Sequence, residues 1–308
     1  MSDINLIQAV EKFAAITHQL PDEDLELEWS WRAYHEGVRF AFFRTYEELR
    51  ELAAALITER TTRGKPITTA QHALAQYHAA YRDLQAVLIG LEGSIIDAVP
   101  AKGEWPLRMI LGHMIAAERE FFARIYHAVE RFRLGNDELV EMSAQEVAEF
   151  VGPFEDFERT MNRLSIPGIM AYYDNLHKRV LRELTGIRGL ELEAPSLWWE
   201  ELPITVEFRL HRLDSHLRQH TIQIEKSLDA LGRTPTEAKR LLRLIYAALS
   251  DVDATMIGAW GFGKEKRLEV AAQISQRADE IHQIVAGEPP GDQEDELDWG
   301  SEDTGIRT

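Results

Sequence analysis

Apolar side chains recur at three- and four-residue steps along most of the chain, the period of a helix with one buried face. "INLIQAVEKFAAITHQL" reads as a short first helix. In "LEWSWRAYHEGVRFAFFRTYEELRELAAALITERT" the stripe runs through Tyr34, Val38, Phe42, Leu49, Leu52 and Leu56, predicting one long helix that "RGKP" ends. Thr68 and Gln71 have capping-box spacing and open a helix to about Leu91. "VPAKGEW", 99–105, is a loop, and Pro106 suits the first turn of a helix running to about Arg133. Ser143 and Glu146 form a second capping box before a short helix.

Helical period resumes over 154–186, with a break at "SIPG" where Pro167 removes a backbone donor. "APSLWWEELP" is an apolar, tryptophan-bearing connection, and a helix follows from about Ile204 to Leu231. Thr234 as cap, Pro235 in the first turn and Glu237 predict the next start, with helices over 236–256 and 264–286. No run alternates with period two, so the chain reads as all-α. The helices at 68–92, 106–133, 154–186 and 204–231 suffice for a four-helix bundle within residues 66–232. The helical extensions 1–65 and 233–286 would pack on it as a second layer, or as a lobe built from both chain ends. Residues 287–308 carry eight acids and one arginine and read as a disordered acidic tail.

Composition narrows the chemistry. The 308 residues are 45% hydrophobic, enough for a sizeable core. Acids outnumber lysine and arginine by 52 to 34, a net charge of −18. Such a chain gains little from releasing counterions off a phosphate backbone, so no nucleic-acid partner is expected. There is no cysteine, which removes disulfides, a cysteine nucleophile and thiolate ligands; any metal must sit on nitrogen and oxygen. "MSDINLIQAVEKF" lacks a basic start and an apolar run, and no stretch reaches ~18 consecutive apolar residues, so a cytoplasmic protein without a membrane span is expected.

Eleven histidines remain, and His18, His35, His72, His127, His211 and His282 fit polar or half-exposed faces. "RLDSHLRQHTIQIEKSL", 212–228, is different. Its apolar seam steps through Val206, Leu210, Leu213, Leu217, position 220, Ile224, Leu228 and Leu231, so His220 stands where leucine is expected. His216 lies four residues earlier on the same side. Burying an imidazole without a partner costs stability, and a metal ion shared by rings at i and i+4 removes that cost. In "EWPLRMILGHMIAAEREFF", His113 borders a seam of Ile110, Met114, Ala117, Phe121 and Ile125. His113, His216 and His220 would supply three nitrogens from two helices and leave positions open for water or substrate. Satisfied core and edge histidines fit the same pattern.

Two of these stretches match a known family. "GEWPLRMILGHMIAAE", 103–118, resembles the segment of DinB/YfiT-like proteins in which a Gly/Glu-Trp turn opens the second helix and a histidine follows. "HLRQHTIQI", 216–224, resembles that family's last bundle helix. The resemblance covers roughly 66–232. It implies a DinB-like four-helix bundle in which His113, His216 and His220 bind a divalent metal at one end. The last motif departs from the pattern: many relatives read His-Arg-Gly-Gln, whereas 220–223 is His-Thr-Ile-Gln, with Arg218 nearby.

The resemblance implies a metal-dependent enzyme of small-molecule substrates, a transferase or isomerase whose metal activates a low-molecular-weight thiol, or a hydrolase. With no cysteine in the chain, that thiol would be a bound cosubstrate. Zinc or nickel suits the imidazole set, and iron or manganese is an alternative. The metal would lower the pKa of bound water or thiol. Glu118, Glu120, Tyr173 and His177 are candidate bases, and Gln223 could orient a ligand or face solvent. The competing expectation is a non-catalytic helical module whose histidines, or whose metal, are structural. Bundles of this kind also pair through a helical face, which makes a homodimer a further expectation.

Other motifs read as structure. Glu104-Trp105 is a corner capping the bundle, Trp198 and Trp199 cover or wall its mouth, and "WSW" at 29–31 packs. "WGFGKEKR" lacks the spacing of a phosphate loop.

Overall fold

A computed structural model of the chain describes residues 5–136 and 139–287. Its helices start where side chains satisfy the free N–H groups of a first turn. Asn5 with Gln8, Thr68 with Gln71 and Ser143 with Glu146 close capping boxes. They open α1 (Leu6–Thr17), α3 (Thr69–Leu88) and α5 (Ala144–Val151). The remaining helices are α2 (Val38–Thr62), α4 (Leu107–Arg133), α6 (Phe154–Met161), α7 (Ile166–Leu184), α8 (Val206–Ala230), α9 (Glu237–Ala254) and α10 (Lys264–Val285). The acidic-tail expectation, 287–308, lies outside the described residues apart from Gly287.

Four expectations are corrected. Residues 27–37 are not helical: Gly37 sits at φ 77° and Arg32 at φ 53°, and Trp31 and Tyr34 exchange backbone hydrogen bonds across a tight loop. A Cβ on Gly37 would stand 3.0 Å from the Leu27 carbonyl oxygen, so the turn needs glycine. Tyr34, read as part of the buried stripe, is 52% exposed and stacks on Phe40. Second, the break expected at "SIPG" within 154–186 falls earlier, between α6 and α7, and Pro167 does not cause it. Ser165 caps α7 by accepting from the Gly168 N–H, and Pro167 lies in the first turn, where its missing donor costs nothing. Third, Thr236 rather than Thr234 caps α9, which frees Glu237 to bind Arg39 Nε of α2 at 2.6 Å. Fourth, two short strands, β1 (Pro195–Ser196) and β2 (Ile204–Thr205), pair antiparallel ahead of α8.

The helices bury two cores. α3, α4, α7 and α8 enclose Leu74, Tyr77, Ile110, Met114, Phe122, Tyr173, Leu217 and Ile224 in a four-helix bundle. α1, α2, α9 and α10, from both ends of the chain, enclose Phe13, Phe42, Leu49, Leu242, Ile245 and Ile274. At about 1.5–3 kcal/mol for each large apolar side chain buried, both are substantial. α3 is the shared wall: it packs on α8 on one side and on α9 on the other. No described helix is long and apolar enough to cross a membrane.

Candidate metal centre

The α4–α8 packing brings the three seam-breaking histidines together. Thr205 accepts from the Phe208 N–H and fixes the start of α8, whose pitch stacks His216 one turn before His220. His113 enters from α4. One nitrogen from each of the three rings lies within 4.8 Å of the other two. His216 Nε2 and His220 Nε2 are 3.2 Å apart. The His113 ring centroid is 5.3 Å from that of His216 and 4.8 Å from that of His220. His113 is exposed, His216 half-buried and His220 buried, so the cluster opens to solvent on the α4 side. Among the described residues no other group of three histidine or acidic side chains meets the same geometry.

Gln223, one turn beyond His220, faces the cluster and not solvent. Its Oε1 lies 2.8 Å from His220 Nδ1. An amide oxygen can only accept, so His220 carries its proton on Nδ1 and turns a bare Nε2 lone pair toward His216. That is the tautomer a metal ligand needs, held by a hydrogen bond on the far nitrogen. The spacing also fits: two nitrogens at ~2.0–2.1 Å from one ion, at angles of ~90–109°, stand about 2.9–3.4 Å apart. Burial and the neighbouring His220 lower the pKa of His113. Burial, His220, His113 and Arg212 push His216 down to about 3. Both rings are therefore neutral near pH 7 and available as ligands.

Aromatic side chains wall the cluster. Trp105 meets His113 edge-on at 5.5 Å between ring centroids, so the Glu104-Trp105 corner also touches the site. Phe121 lies 6.0 Å from His216, and Trp198 lies 5.3 Å from Phe121. Trp199 is 72% exposed.

A family model described as the DinB superfamily matches residues 76–224, which hold all three histidines. Over these residues, just under half of its length, the chain is similar to the DinB superfamily. No curated protein and no solved structure gives a match.

Beneath the histidines of this DinB-like bundle lies a buried polar core. Tyr173 donates to Glu118 Oε2 at 2.6 Å. Both line a cavity of about 10 Å³ together with His216, room for a single water at most. Burial outweighs the tyrosine contact and raises the Glu118 pKa to about 8, so its carboxyl holds a proton at neutral pH. Of the other candidate bases, Glu120 pairs with Arg124 at 2.8 Å on the flank of α4. His177 is fully buried and stacks on Tyr81 at 4.0 Å, away from the three-histidine cluster. Arg218 is held by Asp214 of its own helix at 2.7 Å.

His177 belongs to a second array, which includes His78 of α3, a histidine not among the candidates above. His177 Nε2 lies 2.9 Å from His78 Nδ1 of α3, and His78 Nε2 lies 2.9 Å from Asp253 Oδ2 of α9. Arg82 Nη2 donates to the same carboxylate oxygen at 2.7 Å. Burial pushes the Asp253 carboxyl up, but Arg82 and His78 outweigh it and hold it at about 2. An ionised Asp253 accepts from His78 Nε2–H, which leaves His78 Nδ1 to accept from His177 Nε2–H. The available signal was seam position: His78 falls between Leu74 and Tyr81, at helical steps of four and three.

Proposed function

We propose that His113, His216 and His220 bind one divalent metal ion and that the protein is a metal-dependent enzyme acting on small molecules. The observation that carries this is the convergence of three imidazole nitrogens within 4.8 Å, one turned inward by Gln223, at a cluster open on one side. The donor set is neutral and all nitrogen, which suits zinc or nickel and also admits iron or manganese. Three protein ligands leave room for water or substrate, unlike the closed four-ligand set of a structural site.

When bound, the metal would supply Lewis acidity and lower the pKa of a ligand such as water or a thiol. The chain's own residues would do the rest. Gln223 orients His220. Glu118, protonated at neutral pH and held by Tyr173, places a proton donor at the floor beside His216. Trp105 and Phe121 restrict water on the two flanks. A thiol-dependent transferase fits this arrangement, the thiol coming from a cosubstrate because the chain has no cysteine. A hydrolase fits the same open position with water in place of thiol.

Elemental analysis of untagged protein tests the proposal. Near-stoichiometric metal, lost in His113→Ala and His220→Ala, is the expected result. Well-folded protein that takes up no metal from a zinc or nickel buffer would overturn it and leave a non-catalytic helical module.

A further inference from the structure

A second cavity of about 100 Å³ lies behind Trp198, between the C-terminal half of α4 and β1. Ala128, Phe132, Met142 and Leu197 give it apolar walls. Arg124, His127 and Arg131 line it at helical steps of three and four, on one face of α4. Arg124 is only 6% exposed, yet its Nε and Nη1 have no hydrogen-bond partner, and neither does the buried His127 Nε2. Arg124 is not without charge compensation. Its Nη1 stands 2.8 Å from Glu120 Oε2, out of line for a hydrogen bond, and Nη2 stands 4.0 Å from Glu141. The guanidinium lies 4.6 Å above the Trp198 ring, which holds it in the wall of the cavity. Ser196, also in the lining, is already satisfied: it takes a hydrogen bond from Arg209 Nε and donates to the Ile204 carbonyl at 3.1 Å.

Buried donors without acceptors cost stability, and such donors on two residues that line one cavity describe a binding site. We propose that this cavity binds a small carboxylate with a short apolar body. One oxygen would accept from Arg124 Nε–H and the other from His127 Nε2–H, and its few carbons would lie against Phe132, Met142 and Leu197. A buried guanidinium N–H donates a charge-assisted hydrogen bond to a carboxylate oxygen, and the restricted volume excludes a long chain. The site is separate from the three histidines. Arg124 lies eleven residues beyond His113 on α4, about 16 Å along the helix axis.

Calorimetric titration of the full-length protein with sodium butyrate, against butyramide at constant ionic strength, tests this with and without a chelator. Saturable butyrate binding is expected, at least tenfold tighter than butyramide and unchanged by the chelator. Arg124→Met should weaken it at least tenfold, and Met142→Trp, which fills the cavity, should remove it. No saturable binding of butyrate, or equal binding of butyramide, overturns the proposal. So does undiminished binding in Met142→Trp, which decides the matter even if Arg124→Met fails to fold. Because the chelated protein is one arm, failure here leaves the three-histidine reading untouched, and loss of metal binding leaves this one untouched.

Discussion

One hydrogen bond decides how His220 can act. Gln223 Oε1 accepts a hydrogen bond from His220 Nδ1–H, so Nε2 presents its lone pair to His216. Gln223→Leu keeps a side chain of similar size and frees the ring to choose its tautomer. It should weaken metal binding by about 10–100-fold. Competition with a chromophoric chelator measures this, and an unchanged affinity would remove Gln223 from the site. Acid should act on the same cluster through His216. Its folded pKa of about 3 lies below the ordinary value of 6.5. Between those values the unfolded chain binds a proton that the folded one refuses. Metal-free protein should therefore lose stability as pH falls from 6.5 toward 3, and His216→Gln should lose less. Urea midpoints at pH 7 and pH 4 compare the two.

Among the helices, α4 carries the sharpest conflict between seam and chemistry. Glu118 is fully buried on it, and its folded pKa of about 8 lies above the ordinary 4.5. From pH 4.5 to 8 the unfolded chain has released this proton while the folded one keeps it. Stability therefore falls as pH rises, by up to ~1.4 kcal/mol per pH unit from this group. Glu118→Gln removes that dependence. In metal-free protein the variant should gain on the wild type as pH goes from 5 to 8, read from urea midpoints. A gap that does not change with pH would mean the carboxyl is already ionised in the fold. The capping boxes of α1, α3 and α5 belong to this scale too. They fixed three helix starts because a cap is a local hydrogen bond between residues three apart. At α9 Thr236 caps in place of Thr234, and Glu237 meets Arg39 on α2, a contact between helices far apart in sequence.

For the molecule as a whole, α3 joins bundle and second core, and the joint is polar at one point. Asp253 of α9 takes hydrogen bonds from Arg82 and His78 of α3. Asp253→Ala would leave a buried, unpaired guanidinium and should cost about 3–5 kcal/mol, measured by chemical denaturation. A loss below 1 kcal/mol would show that water reaches Arg82 in the variant. Because His78 in turn meets His177 of α7, the C-terminal helices are tied into the interior of the four-helix bundle. Cutting the chain after residue 232 would expose the face of α3 that packs on α9. Residues 1–232 alone should therefore aggregate, as size-exclusion chromatography would show.

The sequence by itself determined the helical class, most helix limits and the four bundle helices, because apolar period and capping residues act within a few positions of the chain. It also singled out His113, His216 and His220, since an imidazole on a leucine seam is visible from spacing alone. It misread 27–37, where Tyr34 continues the stripe of Val38 and Phe42 backwards while Arg32 and Gly37 turn the chain through the left-handed region. It could not see that His78 meets Asp253 across 175 residues, or that Gln223 turns to His220 and not to solvent. Nor could it see that Glu118 keeps its proton. Those outcomes depend on which side chains from distant helices arrive at one buried point, and on how little water remains there. Helix packing decides that, and periodicity does not encode it.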